Sequence, residues 1–142
     1  MRLAVGVVVA MLAAVPGGTA ARADTPERHV ESALGVWRQT GRASWYGPGF
    51  NGRRAACGSI YDEMASTAAH LHFPCGTIVR VTNPRNGRSE IVTITDRGPY
   101  VRGRVIDLSR GTARRLGLET VGIGEVLLEV ISGPVRMPRP AG

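Results

Sequence analysis

Short segments with alternating apolar residues, separated by glycine and proline, run through residues 40–132. Two of them, "TIVRVTN" and "EIVTITD", flank Asn86-Gly87, a dipeptide that favours the tight turn of a β-hairpin. Further strand-like segments are "GRASWYG", "RVIDL" and "EVLLEVIS". The segment "RGTARRL" predicts one short helix, with Ser109 as its N-cap and Gly117 at its end. Many short strands with one small helix predict a single all-β domain whose sheet closes into a barrel.

The first 23 residues have the composition of a secretory signal peptide. Arg2 supplies a positive start, residues 3–15 form an apolar run that is short for a bilayer, and "ARA" offers the small residues of a cleavage site. We expect cleavage between Ala23 and Asp24, and an uncleaved membrane anchor is the alternative. Because no cysteine lies near that junction, a lipid anchor is not expected. The cleaved chain is predicted to be soluble and periplasmic or extracellular.

The remainder of the chain is long enough for one domain with a modest core. Residues 24–39 are polar and without a sustained period, so we expect a tether before a barrel over 40–132 and a disordered, proline-rich tail over 133–142. All 18 basic residues are arginine, and the formal net charge is +7. In an exported protein this charge suits an anionic polymer of the cell envelope better than nucleic acid, although a genomic arginine bias gives the same composition.

Cys57 and Cys75 are the two cysteines of the chain. In an oxidising compartment such a pair predicts one disulfide. The alternative is a zinc site that also uses His70 and His72, but the sequence lacks the CxxC spacing that is typical of such sites. We therefore expect a disulfide, and we expect neither a metal nor a cofactor.

Asp96 and Asp107 are the two carboxylates that end strand-like segments. Period-two alternation places Asp96 on one face with Val92 and Ile94, and Asp107 on one face with Val105. Burial in such a row would raise a carboxyl pKa, whereas the nearby arginines would lower it. Each acid is therefore either part of a reaction centre or a structural group that binds backbone N–H groups or arginine.

Five sequence blocks, "ASWYG", "TAAH", "GTIVRVTN" with "NGRS", "DRGP" and "IDLS", occur in this order and resemble the rare lipoprotein A family. Its members are septal-ring lytic transglycosylases related to expansins and to a family of endoglucanases. The resemblance covers about residues 41–118 and extends less sharply to 131. It implies a six-stranded double-psi β-barrel and an exported enzyme that cleaves peptide-stripped peptidoglycan strands to 1,6-anhydro-muramyl ends. It also suggests cell-division or wall-remodelling proteins as partners of a monomer.

The same resemblance assigns roles to three residues. Asp96 matches the essential acid of the "DRGP" block, and His70 matches the histidine of "TAAH", which lies near that acid. Asp107 matches the aspartate of "IDLS", whose counterpart in expansins and endoglucanases contributes to the polysaccharide site. We expect Asp96 to act as both acid and base, with His70 as a group that orients or polarises it.

One block departs from the family pattern. The family's usual "ANGE" reads "ACGS" here, so Ser59 replaces a glutamate on which activity depends, with Glu63 as an alternative carboxylate. This departure favours a second hypothesis, a non-catalytic expansin-like module that binds wall polysaccharide. A third hypothesis is a secreted inhibitor or effector, because a fold does not determine a function. The intact "TAAH" and "DRGP" blocks favour the lyase.

Sugar binding requires flat apolar faces and hydrogen-bond donors along a groove. The candidate faces are Trp45, Tyr46, Tyr61 and Tyr100, for which packing in the core is the alternative. Arg97 is a candidate for binding the lactyl carboxylates of muramic acid. We also expect Ser59 to be a substrate-binding residue.

Overall fold

The computed structural model describes residues 29–31 and 37–133 of the chain. Within these residues there are seven strands and one helix. The strands are β1 (His29–Glu31), β2 (Trp37–Trp45), β3 (Thr67–Ala69), β4 (Ile78–Thr82), β5 (Ser89–Asp96), β6 (Arg104–Leu108) and β7 (Gly124–Ser132), and the helix is α1 (Arg110–Arg115).

Six of the strands close into a mixed barrel. The strands follow the order β1-β2-β6-β3-β5-β4-β7, and β2 also pairs with β7, so the sheet closes on itself while β1 extends β2. The pairs β2–β6 and β3–β5 are parallel, and the other pairs are antiparallel. The predicted all-β fold, a six-stranded barrel with one short helix, is confirmed.

The core lies inside the barrel and follows the period-two pattern of the strands. Val79 and Val81 of β4 are fully buried, as are Val92 and Ile94 of β5. Phe73, from the loop before β4, is the largest fully buried side chain. Because alternate residues of a strand point to opposite faces, each strand contributes one apolar row to this interior.

The helix and the β4–β5 hairpin form where the sequence predicts them. The Ser109 side chain accepts a hydrogen bond from the Thr112 N–H, and Gly117 takes a φ of +73° just beyond the helix. Gly87 also has a positive φ, of +72°, in the connection between β4 and β5. These capping and turn residues supply the backbone conformations that end the helix and reverse the chain.

The start of the barrel differs from the prediction. Strand β2 begins at Trp37 rather than at residue 40, and β1 lies inside the segment that we assigned to a polar tether. The reason is that the Trp37 ring packs edge-on against Phe73, with 4.7 Å between ring centroids. Strand β3 was not predicted, because three residues that include two alanines carry no readable alternation.

The predicted signal peptide over residues 1–23 and all but the first residue of the predicted tail lie outside the described residues. Within the described part of the chain, no helix is long and apolar enough to cross a membrane.

Candidate functional site

A β-bulge sets the direction of the Asp96 side chain. In the β3–β5 pair, Ala68 is in register with Ile94, but the next residue, Ala69, is in register with Asp96, so Thr95 is the extra residue. Such a bulge moves the following side chain to the other face of the sheet. The expectation that Asp96 shares a face with Val92 and Ile94 is therefore wrong. Asp96 instead lines a surface cleft.

Three donors hold the Asp96 carboxylate. The Tyr46 hydroxyl donates to Oδ2 at 2.7 Å, and the backbone N–H groups of Ala56 and Arg97 donate to Oδ1 at 2.8 and 2.9 Å. Tyr46 directly follows β2, Ala56 belongs to the loop between β2 and β3, and Arg97 directly follows Asp96 at the end of β5. The barrel thus fixes the carboxylate from several directions at the end of a strand.

The environment of Tyr46 favours its protonated phenol. Burial raises the pKa of its hydroxyl well above the ordinary value, and the hydrogen bond to Asp96 and the charges of Asp96 and Asp107 raise it further. The phenol therefore holds its proton more strongly than an exposed tyrosine does. Its ring also packs 4.8 Å from the Tyr61 ring and 5.6 Å from the Phe50 ring.

Asp107 is half-buried and lies close enough to Asp96 and Tyr46 to interact with both electrostatically. Burial raises the pKa of its carboxyl and the charge of Asp96 raises it further, whereas the hydrogen bond from the Ser44 hydroxyl and the charge of Arg104 lower it. Because burial is the largest of these effects, Asp107 binds a proton more readily than an exposed aspartate.

His70 is linked to Asp96 through the backbone. Its N–H donates to the Asp96 carbonyl at 3.2 Å. The buried imidazole accepts at Nδ1 from the N–H groups of His72 and Phe73, both at 3.0 Å, and Nε2 donates to Gln39 Oε1 at 2.9 Å. Both ring nitrogens are engaged away from the Asp96 carboxylate, which differs from the expected contact between the imidazole and the acid.

Arg97 has a structural role that the sequence did not indicate. Its NH1 group donates to the carbonyls of His70 at 3.2 Å and Phe73 at 2.9 Å, and its NH2 group contacts Cys75 Sγ at 3.4 Å. The guanidinium therefore holds the loop before β4, while the residue also lines the cleft.

A hairpin over residues 52–61, the cleft hairpin, forms one wall of the site. Its ends are joined by the hydrogen bond from the Gly52 N–H to the Tyr61 carbonyl at 2.8 Å. Near its tip, Cys57 donates from its N–H to the Thr95 carbonyl at 3.1 Å and forms the predicted disulfide with Cys75. The tip is thus fixed beside Asp96, and the cysteine sulfurs are bonded to each other rather than available to zinc.

The cleft has a volume of about 320 Å³. It is lined by the rings of Tyr46, Phe50 and Tyr61 and by Arg53, Arg54 and Arg97 beside Asp96. Phe50, Arg53, Arg54 and the Ala56 amide are not among the site residues predicted from the sequence. The sequence feature that marks them is a segment with an aromatic residue and two arginines next to Gly49 and Gly52. Both glycines adopt positive φ.

The remaining candidates lie outside the lining of this cleft. Ser59 is exposed in the cleft hairpin, where its carbonyl accepts from the Ala55 N–H at 2.8 Å. Glu63 faces Arg110, with 3.9 Å between the charged groups. Trp45 packs against the core, and Tyr100 is 80% exposed. Among the residues that the structure describes, no three His, Cys, Asp or Glu side chains are arranged to hold a metal ion.

Sequence comparison identifies close relatives. A family model described as lytic transglycolase matches residues 38–128. The "Probable endolytic peptidoglycan transglycosylase RlpA" of Synechocystis is 56% identical over 91 residues, which are 64% of this chain and 28% of that protein. The endolytic peptidoglycan transglycosylase RlpA of Pasteurella multocida is 52% identical over 95 residues, 67% of this chain and 32% of the relative. The chain thus spans about a third of the length of these relatives.

Solved structures share the fold at lower identity. Streptomyces papain inhibitor matches with a TM-score of 0.56 and 23% identity, covering 67% of this chain and 94% of that one. An expansin from Clavibacter michiganensis matches with a TM-score of 0.54 and 24% identity, covering 70% and 52%. These similarities support the double-psi β-barrel architecture.

Proposed function

This chain belongs to the lytic transglycolase family, and we propose that it cleaves the glycan strands of peptidoglycan as an exported lytic transglycosylase. The proposed substrate is a strand stripped of its stem peptides, and the proposed product ends in a 1,6-anhydro-muramyl residue. The observation that carries the proposal is the Asp96 carboxylate, held by three donors in an aromatic cleft. Cell-division or wall-remodelling proteins are its proposed partners.

The proposed reaction requires one carboxyl group that acts twice. Protonated Asp96 gives its proton to the glycosidic oxygen as the bond from that oxygen to C1 breaks. The resulting carboxylate then takes the proton of the C6 hydroxyl of the same muramic acid residue, and the C6 oxygen bonds to C1. Water is not consumed, and Asp96 ends the cycle protonated. A glycoside hydrolase would instead need a second carboxyl to activate water or to attack C1.

The hydrogen bonds of Asp96 indicate which oxygen carries the proton. Oδ1 accepts from two backbone N–H groups, which cannot become acceptors. Oδ2 binds the Tyr46 hydroxyl, which can rotate from donor to acceptor when a proton occupies that oxygen. We therefore assign the transferred proton to Oδ2, with Tyr46 stabilising the carboxylate that exists between the two transfers.

The cleft wall supports binding of a sugar chain. Tyr46, Phe50 and Tyr61 present neighbouring rings, and Phe50 is 43% exposed. Aromatic faces pack against the apolar faces of sugar rings, while the polar edges of the tyrosines can bind hydroxyl groups. Tyr100, which is exposed in the loop between β5 and β6, is a proposed contact for the glycan strand beyond the cleft.

The remaining predicted site residues receive supporting roles. Asp107 is proposed as a second carboxyl that contributes to glycan binding through its position next to Ser44. His70 is proposed as a positioning residue, because it shapes the loop whose carbonyls bind Arg97 and its own N–H binds the Asp96 carbonyl. Ser59 supplies no carboxyl group, so Asp96 is the one proposed proton carrier.

Export is part of the proposal. The signal-peptide pattern over residues 1–23 and the Cys57–Cys75 disulfide support an extracytoplasmic location, since disulfides persist in oxidising compartments.

The test is incubation of the protein with peptide-stripped sacculi, followed by mass spectrometry of the soluble products. Wild type is expected to release anhydro-muramyl ends, and Asp96→Asn is expected to release none. Glu125→Gln serves as the matched control, because Glu125 is an exposed carboxylate that does not line the cleft, and this variant should retain activity. Binding to sacculi without products would favour the expansin-like module instead.

A further inference from the structure

The cleft carries more positive than negative charge. Arg53, Arg54 and Arg97 line it beside a single acidic side chain, that of Asp96. A neutral polysaccharide would not need such an excess of cations. Peptide-stripped peptidoglycan differs from a neutral strand in one respect, since each muramic acid bears a free lactyl carboxylate. The charge of the cleft therefore complements this group.

The three arginines differ in what their guanidinium groups already bind. Arg97 donates to the carbonyls of His70 and Phe73, and Arg54 donates to the Gly58 carbonyl at 2.9 Å. The Arg53 guanidinium instead packs over the Phe50 ring, with 5.5 Å between its central carbon and the ring centroid. Within residues 37–133, the ion pairs involve neither Arg53 nor Arg54.

The contact with Phe50 prepares Arg53 for binding an anion. A guanidinium over an aromatic face keeps its N–H donors at the edge, where they match the two oxygens of a carboxylate. The backbone beneath it is also fixed, since the Arg53 carbonyl accepts from the Tyr61 N–H at 2.8 Å. Little conformational entropy is then lost when the side chain binds.

We propose that Arg53 is a specificity-determining residue that binds the free lactyl carboxylate of a muramic acid in the cleft. The inference rests on the proposed function and names the group by which the cleft selects its strand. Where a stem peptide is attached, the lactyl carboxyl is an amide without charge, so the charge-assisted pair with Arg53 is lost. Selection for stripped strands then follows from one ion pair beside the reacting acid.

The test measures equilibrium binding of purified peptide-free glycan strands to the Asp96→Asn protein, which is used because it should not turn them over. The same strands with their lactyl carboxyls converted to carboxamides form the comparison. We expect about tenfold tighter binding of the carboxylate strands, the size of one charge-assisted pair, and a smaller difference at high salt. Adding Arg53→Gln should abolish the preference and leave carboxamide binding unchanged, which also shows that the variant is folded.

Two further variants sharpen the result. Arg53→Lys keeps the charge but loses the two-pronged geometry, so its preference should fall between the others. Arg85→Gln removes an exposed arginine from the β4–β5 connection and should keep the full preference. If the preference survives Arg53→Gln, or if the Asp96→Asn protein itself shows no preference, the proposed role of Arg53 is wrong while the proposed function still stands. If neither strand binds, the cleft is not a glycan site, and the proposed function fails with it.

Discussion

Asp96 and Asp107 are both in register with Ala69, one from each neighbouring strand. Their backbones are therefore two strand spacings apart, about 10 Å, and their side chains share the outer face of the barrel wall. The charge of Asp96 contributes to the raised pKa of Asp107. The bulge at Thr95 is what brings the two acids onto one face, because without it Asp96 would point toward the core.

The raised pKa of Asp107 predicts a pH-dependent stability. In the folded protein, the Asp107 carboxyl keeps its proton to pH values above its ordinary pKa of 3.8. In the unfolded chain, the same carboxyl loses its proton near that ordinary pKa. The folded state thus binds more protons in that window, and the free energy of unfolding falls as the pH rises through it. Asp107→Asn lacks this titration. Its stability relative to wild type should increase from about pH 4 toward neutrality, measured by urea denaturation. A difference that is flat or decreases with pH would contradict the assignment.

The bond between Tyr46 and Asp96 predicts the effect of removing one hydroxyl. Tyr46→Phe keeps the ring in the cleft but deletes the group that donates to Oδ2 at 2.7 Å. A hydrogen bond to a charged acceptor is worth about 1.5–3 kcal/mol, so kcat should fall roughly 10- to 100-fold. The KM should change little, because the aromatic face remains. Kinetics on solubilised glycan strands would check this, and an unchanged kcat would exclude Tyr46 from the proton transfer.

The disulfide is expected to support both stability and the site. It joins residues separated by 18 positions and fixes the tip of the cleft hairpin beside Asp96. The double variant Cys57→Ser with Cys75→Ser should lose about 3 kcal/mol of unfolding free energy. Because the Ala56 N–H that binds Asp96 precedes Cys57, activity should fall even where the variant remains folded. Equal specific activity in folded wild type and variant would show that the hairpin holds its position without the disulfide.

Gly41 marks a close contact within the barrel wall. A Cβ added at this position would lie 2.4 Å from Val105 Cγ1, on a branched side chain that has little freedom to move. Gly41→Ala should therefore cost about 1–3 kcal/mol of unfolding free energy. Adding Val105→Ala should recover part of that loss, although each change alone destabilises. Thermal denaturation of the four proteins in this cycle tests the contact, and strict additivity of the two losses would rule it out.

Some features of the fold could be predicted because their causes are local. Asn86-Gly87 supplies a turn, and Ser109 with Gly117 begins and ends the helix, so each is visible in a few residues. The disulfide followed from there being one pair of cysteines. Strand β3 has no such signal, since Thr67–Ala69 becomes a strand only by pairing with β5 and β6.

The candidate site could be predicted in part. Asp96 was found through its motif, but its direction depends on a bulge that the sequence does not mark. The sequence places the His70 imidazole beside the Asp96 carboxylate and Arg97 on the substrate side. In the fold both side chains bind loop backbone, and Arg97 also lines the cleft. Both depend on the path of the loop before β4, which long-range contacts determine. Arg53 and the Ala56 amide could not be predicted for the same reason, because long-range contacts also place the cleft hairpin beside Asp96.

In the proposed reaction, Asp96 transfers protons within the substrate and water is not consumed. The direct measurement is mass spectrometry of the products released from peptide-stripped strands in water enriched with the heavy oxygen isotope. We expect anhydro-muramyl ends that carry no heavy oxygen, released by wild type and not by Asp96→Asn. Reducing muramic acid ends that carry the heavy isotope, or equal release by Asp96→Asn, would contradict it.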